Sequence, residues 1–112
     1  MKVEVEIDPG ICNFPVTISA VSDDGMHVAF GLVTECETLL QFAERIREMT
    51  PIDAYQELGI KESLILEAAR SILVTKGCCE ACIVPAGVCK AIYVAANLAL
   101  PRDVSMKIVK KE

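Results

Sequence analysis

The sequence predicts a single α+β domain, with a three-stranded antiparallel meander followed by about four helices and a short C-terminal strand. Apolar residues recur at every second position through the first third of the chain and at helical spacing through most of the rest. The chain has 112 residues, 53% of them hydrophobic, so one core can form without disulfide staples. We expect residues 1–112 to form one cysteine-rich domain, with the helices packed on one face of the sheet.

The N-terminal third contains three segments that we interpret as strands. Residues 2–7 alternate charged and aliphatic side chains, and residues 15–21 and 27–33 alternate in a similar way. Residues typical of turns separate these segments at positions 8–10 and 22–25. Short connections between consecutive strands favour antiparallel pairing, which predicts a meander.

The period of the apolar residues changes after the third strand. Thr34 and Glu37 have the spacing of a capping box, which predicts a helix over residues 35–49. A second, short helix is predicted next, because Pro51 suits the first position of a helix and Gly59 suits its end.

The spacing of apolar residues in the second half of the chain predicts two longer helices and a strand. Residues 61–75 form the third predicted helix, and a loop at 77–82 separates it from a fourth at 85–100, which is apolar on almost every side. We expect this last helix to lie against the sheet and to end before Pro101. Residues 103–109 alternate again and predict the final strand.

Composition argues against several classes of function. The net charge is −5, whereas proteins that bind nucleic acid usually present a basic face. No apolar run approaches the roughly 18 residues that a membrane span needs, and the N-terminal segment lacks the apolar core of a signal peptide. We therefore expect a cytoplasmic protein with no nucleic-acid or membrane partner, in which thiols are kept reduced.

Five of the six cysteines lie in predicted connections. Cys12 follows the first strand, Cys36 follows the third, and Cys78, Cys79 and Cys82 precede the last helix. In a meander the first connection and the exit of the third strand share one end of the sheet. Zinc and iron–sulfur centres take four ligands, commonly including a close pair such as the last two of these cysteines. We predict that the five converge on a metal or iron–sulfur centre.

Other interpretations of single residues stay open. Cys36 and Cys12 are alternatively packing residues, because free cysteine is among the most buried residue types. Cys89 lies within the apolar last helix and is predicted to be a core residue outside the site. The single histidine, His27, starts the third strand at the opposite end of the sheet, so we predict a surface residue rather than a ligand.

The order of strands, cysteines and helices resembles that of iron–sulfur cluster scaffold proteins of the IscU and NifU N-terminal type. The resemblance covers roughly residues 2–100 and rests on topology and cysteine placement. Cys12, Cys36 and Cys82 (or Cys79) match the three cysteines of that family in order. The resemblance implies a scaffold or carrier for an iron–sulfur cluster, with a sulfur donor or a cluster-accepting protein as partner.

The chain also departs from that family. Asn13 and Phe14 replace the Gly-Asp that follows its first cysteine, and Glu37 replaces the glycine after its second. The histidine before its third cysteine and its Pro-Val-Lys motif are missing, so Cys78 or Cys79 would have to replace the histidine. The stretch PAGVCKAIYVAANLALPRDV is similar to small uncharacterised cysteine-rich proteins of anaerobic microbes.

The predicted function is non-enzymatic binding of an iron–sulfur cluster or zinc, with zinc expected in aerobic preparations. One alternative is a thiol or persulfide relay through Cys79-x-x-Cys82, because a CxxC at a helix start supports disulfide exchange. Another is a structural or partner-binding domain. A hydrolase of the triad type is not indicated, since no nucleophile and carboxylate accompany the only histidine.

Overall fold

The computed structural model describes residues 1–59, 61–73 and 82–112. Within these residues, four strands form one antiparallel sheet. Three α-helices lie on one of its faces, the first and third packed on the sheet and the second packed on the other two helices. The strands are β1 (Lys2–Ile7), β2 (Val16–Val21), β3 (His27–Thr34) and β4 (Ile52–Asp53), and the helices are α1 (Glu37–Arg47), α2 (Leu64–Leu73) and α3 (Val84–Ala95). Single turns of 3-10 helix lie at Gly10–Cys12 and Gln56–Leu58.

The sheet is ordered β1-β2-β3-β4, and the first three strands are those that the alternating pattern predicts. On β2 and β3 one face is buried and the other lies largely open to solvent, as expected where helices cover only one side. The corresponding apolar residues of β1, at the edge of the sheet, are only half-buried. The core therefore lies between β2 and β3 on one side and the three helices on the other.

The prediction of three strands was wrong, because a fourth strand occupies part of the predicted second helix. Ile52 pairs with Val28, and the amide of Ala54 donates a hydrogen bond to the carbonyl of Met26 at 2.8 Å. This pairing covers the outer edge of β3 at His27 and Val28, and Ile52 enters the core. Long-range pairing thus overrides the local helix signals between Pro51 and Gly59.

The predictions of a C-terminal strand and of about four helices were also wrong for the residues that the structure describes. Residues 101–112 are exposed along their whole length and take no regular secondary structure. The alternation of residues 103–109 makes them compatible with a strand, but a strand also needs a neighbour to accept and donate its backbone hydrogen bonds.

The start of α1 and the end of α3 differ from those that the sequence predicted. Cys36, not Thr34, is the N-cap of α1, and the Thr34 Oγ1 accepts a hydrogen bond from the Cys36 amide at 3.1 Å. This local turn replaces the predicted capping box. At the other end of the chain α3 stops at Ala95, because Asn97 adopts a left-handed conformation with φ of 64°.

The end of α3 is a Schellman motif. The amide of Leu98 donates to the carbonyl of Tyr93 at 2.8 Å, and the amide of Asn97 donates to that of Val94 at 3.0 Å. The helix therefore ends five residues before Leu100, the predicted last residue. Its position against the sheet agrees with the prediction, since α3 packs on β1 and β2.

Close approach between α3 and the sheet depends on a glycine. A Cβ atom added at Gly87 would overlap the Ile7 Cδ1 and lie 3.4 Å from the Ile18 Cδ1. The helix backbone therefore rests directly on these two side chains, one from β1 and one from β2. In the described residues, no helix is both long enough and apolar enough to cross a membrane.

Candidate functional site

Two of the predicted ligands lie at the same end of the sheet. Ile7, Val16 and Thr34 are register partners across β1, β2 and β3, and they mark this end. Cys12 lies in the connection from β1 to β2, in the 3-10 turn, and Cys36 lies two residues beyond the end of β3. Since neighbouring strands are about 4.8 Å apart, both connections emerge within a few strand spacings of each other.

A third cysteine reaches the same end through α3. The first turns of this helix rest on Ile7 through Gly87, whereas the carbonyl of Ala95 accepts a hydrogen bond from the Met1 ammonium group at 3.2 Å. The helix therefore starts where β1 ends and finishes where β1 begins. Cys82, two residues before α3, consequently lies at the end of the sheet that Cys12 and Cys36 share.

The three thiols differ in exposure. Cys12 is exposed, whereas Cys36 and Cys82 are half-buried and pack against the edge of the core. Cys78 and Cys79 lie outside the described residues. In the ranges 1–59, 61–73 and 82–112, no three His, Cys, Asp or Glu side chains form a group that could hold a metal ion. Metal binding by these five cysteines therefore stays a prediction.

Cys89 is a core residue, as predicted. It lies on α3, and its side chain is buried beside Ser63 and Tyr93. Burial raises the pKa of the Cys89 thiol to about 11, and the nearby negative charge of Glu57 contributes to the shift. The thiol is therefore neutral at physiological pH, and a neutral, buried thiol is neither a nucleophile nor a metal ligand.

A buried polar cluster, formed by Glu57, Ser63, Cys89 and Tyr93, was not predicted from the sequence. The Glu57 side chain is 1% exposed, and its carboxylate accepts hydrogen bonds from the Ser63 hydroxyl at 2.6 Å and from two amides of α2. Those amides belong to Leu64 at 2.7 Å and Ile65 at 3.1 Å. The carboxylate thus caps the positive end of α2.

Ser63 and Tyr93 complete the cluster. The Ser63 Oγ accepts a hydrogen bond from the Leu66 amide at 3.1 Å, which makes Ser63 the N-cap residue of α2. The Tyr93 hydroxyl donates to the Glu57 backbone carbonyl at 2.5 Å, and burial, followed by the proximity of Cys89 and Glu57, raises the pKa of Tyr93. Every buried side-chain nitrogen or oxygen in the described residues has a hydrogen-bond partner. The cluster therefore has a structural role, because it joins the segment that carries Glu57 to α2 and α3.

One residue of this buried polar cluster could have been identified from the sequence. Ser63 precedes the apolar spacing of α2 and is a residue type that favours N-caps. It places the start of the helix at Leu64, three residues later than the predicted start at residue 61. Glu57 has no such signal, because a glutamate before a helix is usually solvated, and only the fold turns it inward.

His27 lies at the opposite end of the sheet and is exposed, as predicted. Its Nδ1 lies 2.9 Å from the Asp24 Oδ2. The hydrogen bond with Asp24 raises the pKa of His27, and the same bond holds the pKa of Asp24 well below its usual value. Exposed pairs of this kind contribute little to stability.

Residues 3–108 match the sequence profile of a family of unknown function, DUF6951. The chain belongs to this family. The match includes five of the six residues of β1 and every other strand and helix described above, so it spans the whole fold rather than one motif. Comparisons with curated proteins and with solved structures give no match.

Replacing Cys89 with alanine is expected to lower the free energy of unfolding by about 1 kcal/mol, through a small cavity. In the native protein, iodoacetamide should alkylate the exposed Cys12 readily and Cys89 only after unfolding, because the neutral thiol is buried. Peptide mass spectrometry after timed alkylation, with and without denaturant, distinguishes the two sites. Equal labelling rates in the folded state would contradict the burial of Cys89.

Proposed function

We propose that this chain is a cytoplasmic, non-enzymatic protein that binds zinc or an iron–sulfur cluster through cysteine thiolates. One observation carries the proposal: three connections distant in sequence place Cys12, Cys36 and Cys82 at one end of the sheet. Packing alone does not account for all three, since the exposed Cys12 contributes nothing to a core.

The chemistry of the donors suits these metals. Thiolates are soft ligands that favour zinc and iron–sulfur clusters over magnesium or calcium, and structural centres of this kind usually take four protein ligands. Cys12, Cys36 and Cys82 would supply three. Cys79, in the sequence spacing Cys79-x-x-Cys82, or its neighbour Cys78 would supply the fourth.

The role of scaffold or carrier rests on the resemblance to the IscU and NifU N-terminal type. That role implies a sulfur donor or a protein that accepts the cluster as partner. Cys89 stays outside the proposed site, because its thiol is neutral and enclosed by the core.

Metal content of single variants tests the proposal. The full chain is purified without oxygen or chelator, and its iron, zinc and sulfide are measured together with its visible absorption spectrum. An incomplete set of thiolates loses most of its affinity, so Cys12→Ser and Cys36→Ser should deplete the metal as strongly as Cys82→Ser does. Cys89→Ala is the matched control and should keep its metal. Separate serine variants of Cys78 and Cys79 then identify the fourth ligand.

A thiol relay predicts a different response to the same cysteine substitutions. Exchange activity would need only the Cys79-x-x-Cys82 pair, so Cys12→Ser and Cys36→Ser would leave it intact. A pure, metal-free protein that reduces disulfides through that pair would overturn the proposal in favour of the relay. A protein with neither metal nor thiol activity would favour a structural domain.

A further inference from the structure

The exposed C-terminal segment, residues 103–109, has the apolar alternation of a strand but pairs with no strand of the described structure. Val104, Met106 and Ile108 are 69%, 75% and 88% exposed and alternate with more polar positions. Isolated apolar side chains are common on protein surfaces. Three at alternate positions of one extended segment, however, line a continuous apolar face. The family match extends to residue 108, so this segment belongs to the shared sequence of the family.

The sheet offers a complementary edge. In the part of the chain that the structure describes, β1 has β2 on one side and no neighbour on the other. Val3, Val5 and Ile7 point to the helix-covered face but stay half-buried, whereas the residues of β2 on that face are buried. An added strand with apolar residues at alternate positions would cover them and use the outward backbone groups of β1.

We propose that residues 103–109 of one copy add to the outer edge of β1 in a second copy, which creates a reciprocal, two-fold dimer. In the antiparallel register that pairs Val5 with Met106, the partners of Val3 and Ile7 are Ile108 and Val104, and all six apolar side chains share one face. The same register places Lys107 opposite Glu4, an opposite-charge pair that favours this alignment.

The course of the segment favours a second copy over its own sheet, because residues 101–112 are exposed and do not pair with their own β1. The carbonyl of Ala95 lies beside Met1, so the polypeptide leaves α3 at the start of β1, and its direct path along its own β1 is parallel. Antiparallel pairing requires the segment to enter from the Ile7 end, where a two-fold partner delivers it. Charge favours binding of this segment to a second copy. Residues 101–112 carry four basic and two acidic side chains, whereas the rest of the chain is acidic.

Sedimentation equilibrium of the full chain, under reducing conditions and with chelator present, tests the dimer without help from bound metal. We expect a concentration-dependent mass that approaches twice 12.1 kDa. Met106→Asp should raise the dimer dissociation constant at least about tenfold, because it removes a buried apolar side chain from each of two contacts. Val33→Asp, on the open face of β3, is the matched control and should leave the constant unchanged.

Charge reversal tests the register. Glu4→Lys and Lys107→Glu should each weaken the dimer, and the double variant should restore it, since the pair is re-formed with opposite polarity. A chain that stays monomeric at millimolar concentration would overturn the proposal. A dimer that Met106→Asp leaves intact would also overturn it, because the contact would then lie elsewhere.

Discussion

Replacing Glu57 with alanine is expected to lower the free energy of unfolding by about 3 kcal/mol, since each buried donor left without an acceptor costs about 1–3 kcal/mol. The substitution removes the acceptor of the Ser63 hydroxyl and of the Leu64 and Ile65 amides. Neither water nor a neighbouring residue replaces a carboxylate that is almost fully enclosed. The first turn of α2 would therefore lose its cap and much of its stability.

Urea unfolding followed by circular dichroism measures this loss. Glu57→Gln keeps one carbonyl oxygen as an acceptor and should recover part of the stability, at a cost of about 1 kcal/mol for the lost charge at the helix end. Glu67→Ala removes an exposed glutamate from the first turn of α2 and should cost less than about 0.5 kcal/mol. Equal effects for Glu57→Ala and Glu67→Ala would show that the carboxylate does not cap the helix.

Phe42→Ala is expected to cost about 4 kcal/mol, the typical value for deleting a buried phenylalanine ring. Phe42 is 0% exposed and lies on the face of α1 that packs against β3 and α2. The ring is the largest fully buried side chain in the described residues, so its loss leaves a cavity that the close-packed sheet and helices cannot fill. In a domain with the usual 5–15 kcal/mol of stability, this is a large fraction of the total.

The matched control lies on the same helix. Leu40 is also apolar but half-exposed, so Leu40→Ala should cost under about 1 kcal/mol and lower the thermal midpoint far less than Phe42→Ala does. Differential scanning calorimetry of the two variants beside the parent chain provides both midpoints. A larger loss for Leu40→Ala than for Phe42→Ala would mean that α1 turns a different face to the sheet.

The sequence predicted those elements whose pattern repeats over several residues. The strands β1 to β3 follow from alternation, because successive side chains on a strand point to opposite faces. The apolar face of α1 and the burial of Cys89 follow from helical spacing. The shared end of Cys12 and Cys36 follows from meander topology alone, since the first connection and the exit of the third strand meet at one edge.

The missed features depend on contacts that are distant in sequence. β4 has two residues, too few for a period, and only pairing with His27 and Val28 makes it a strand. The burial of Glu57 requires α2 and α3 to be in place around it. The end of α3 did have a local signal, because asparagine commonly takes the left-handed position after a helix, and Asn97 does so here.

The capping of α2 by Glu57 couples the local unfolding of this helix to that of the sheet edge. The acceptor for the first amides of this helix belongs to a segment that is itself joined to the sheet through Ile52 and Ala54. Detaching residues 52–58 from the edge of β3 would withdraw the carboxylate from the helix, so the edge strand and the first turn of α2 must open together. Hydrogen exchange at Leu64 and Ile65 should therefore follow the opening of the sheet edge rather than the fraying of an isolated helix.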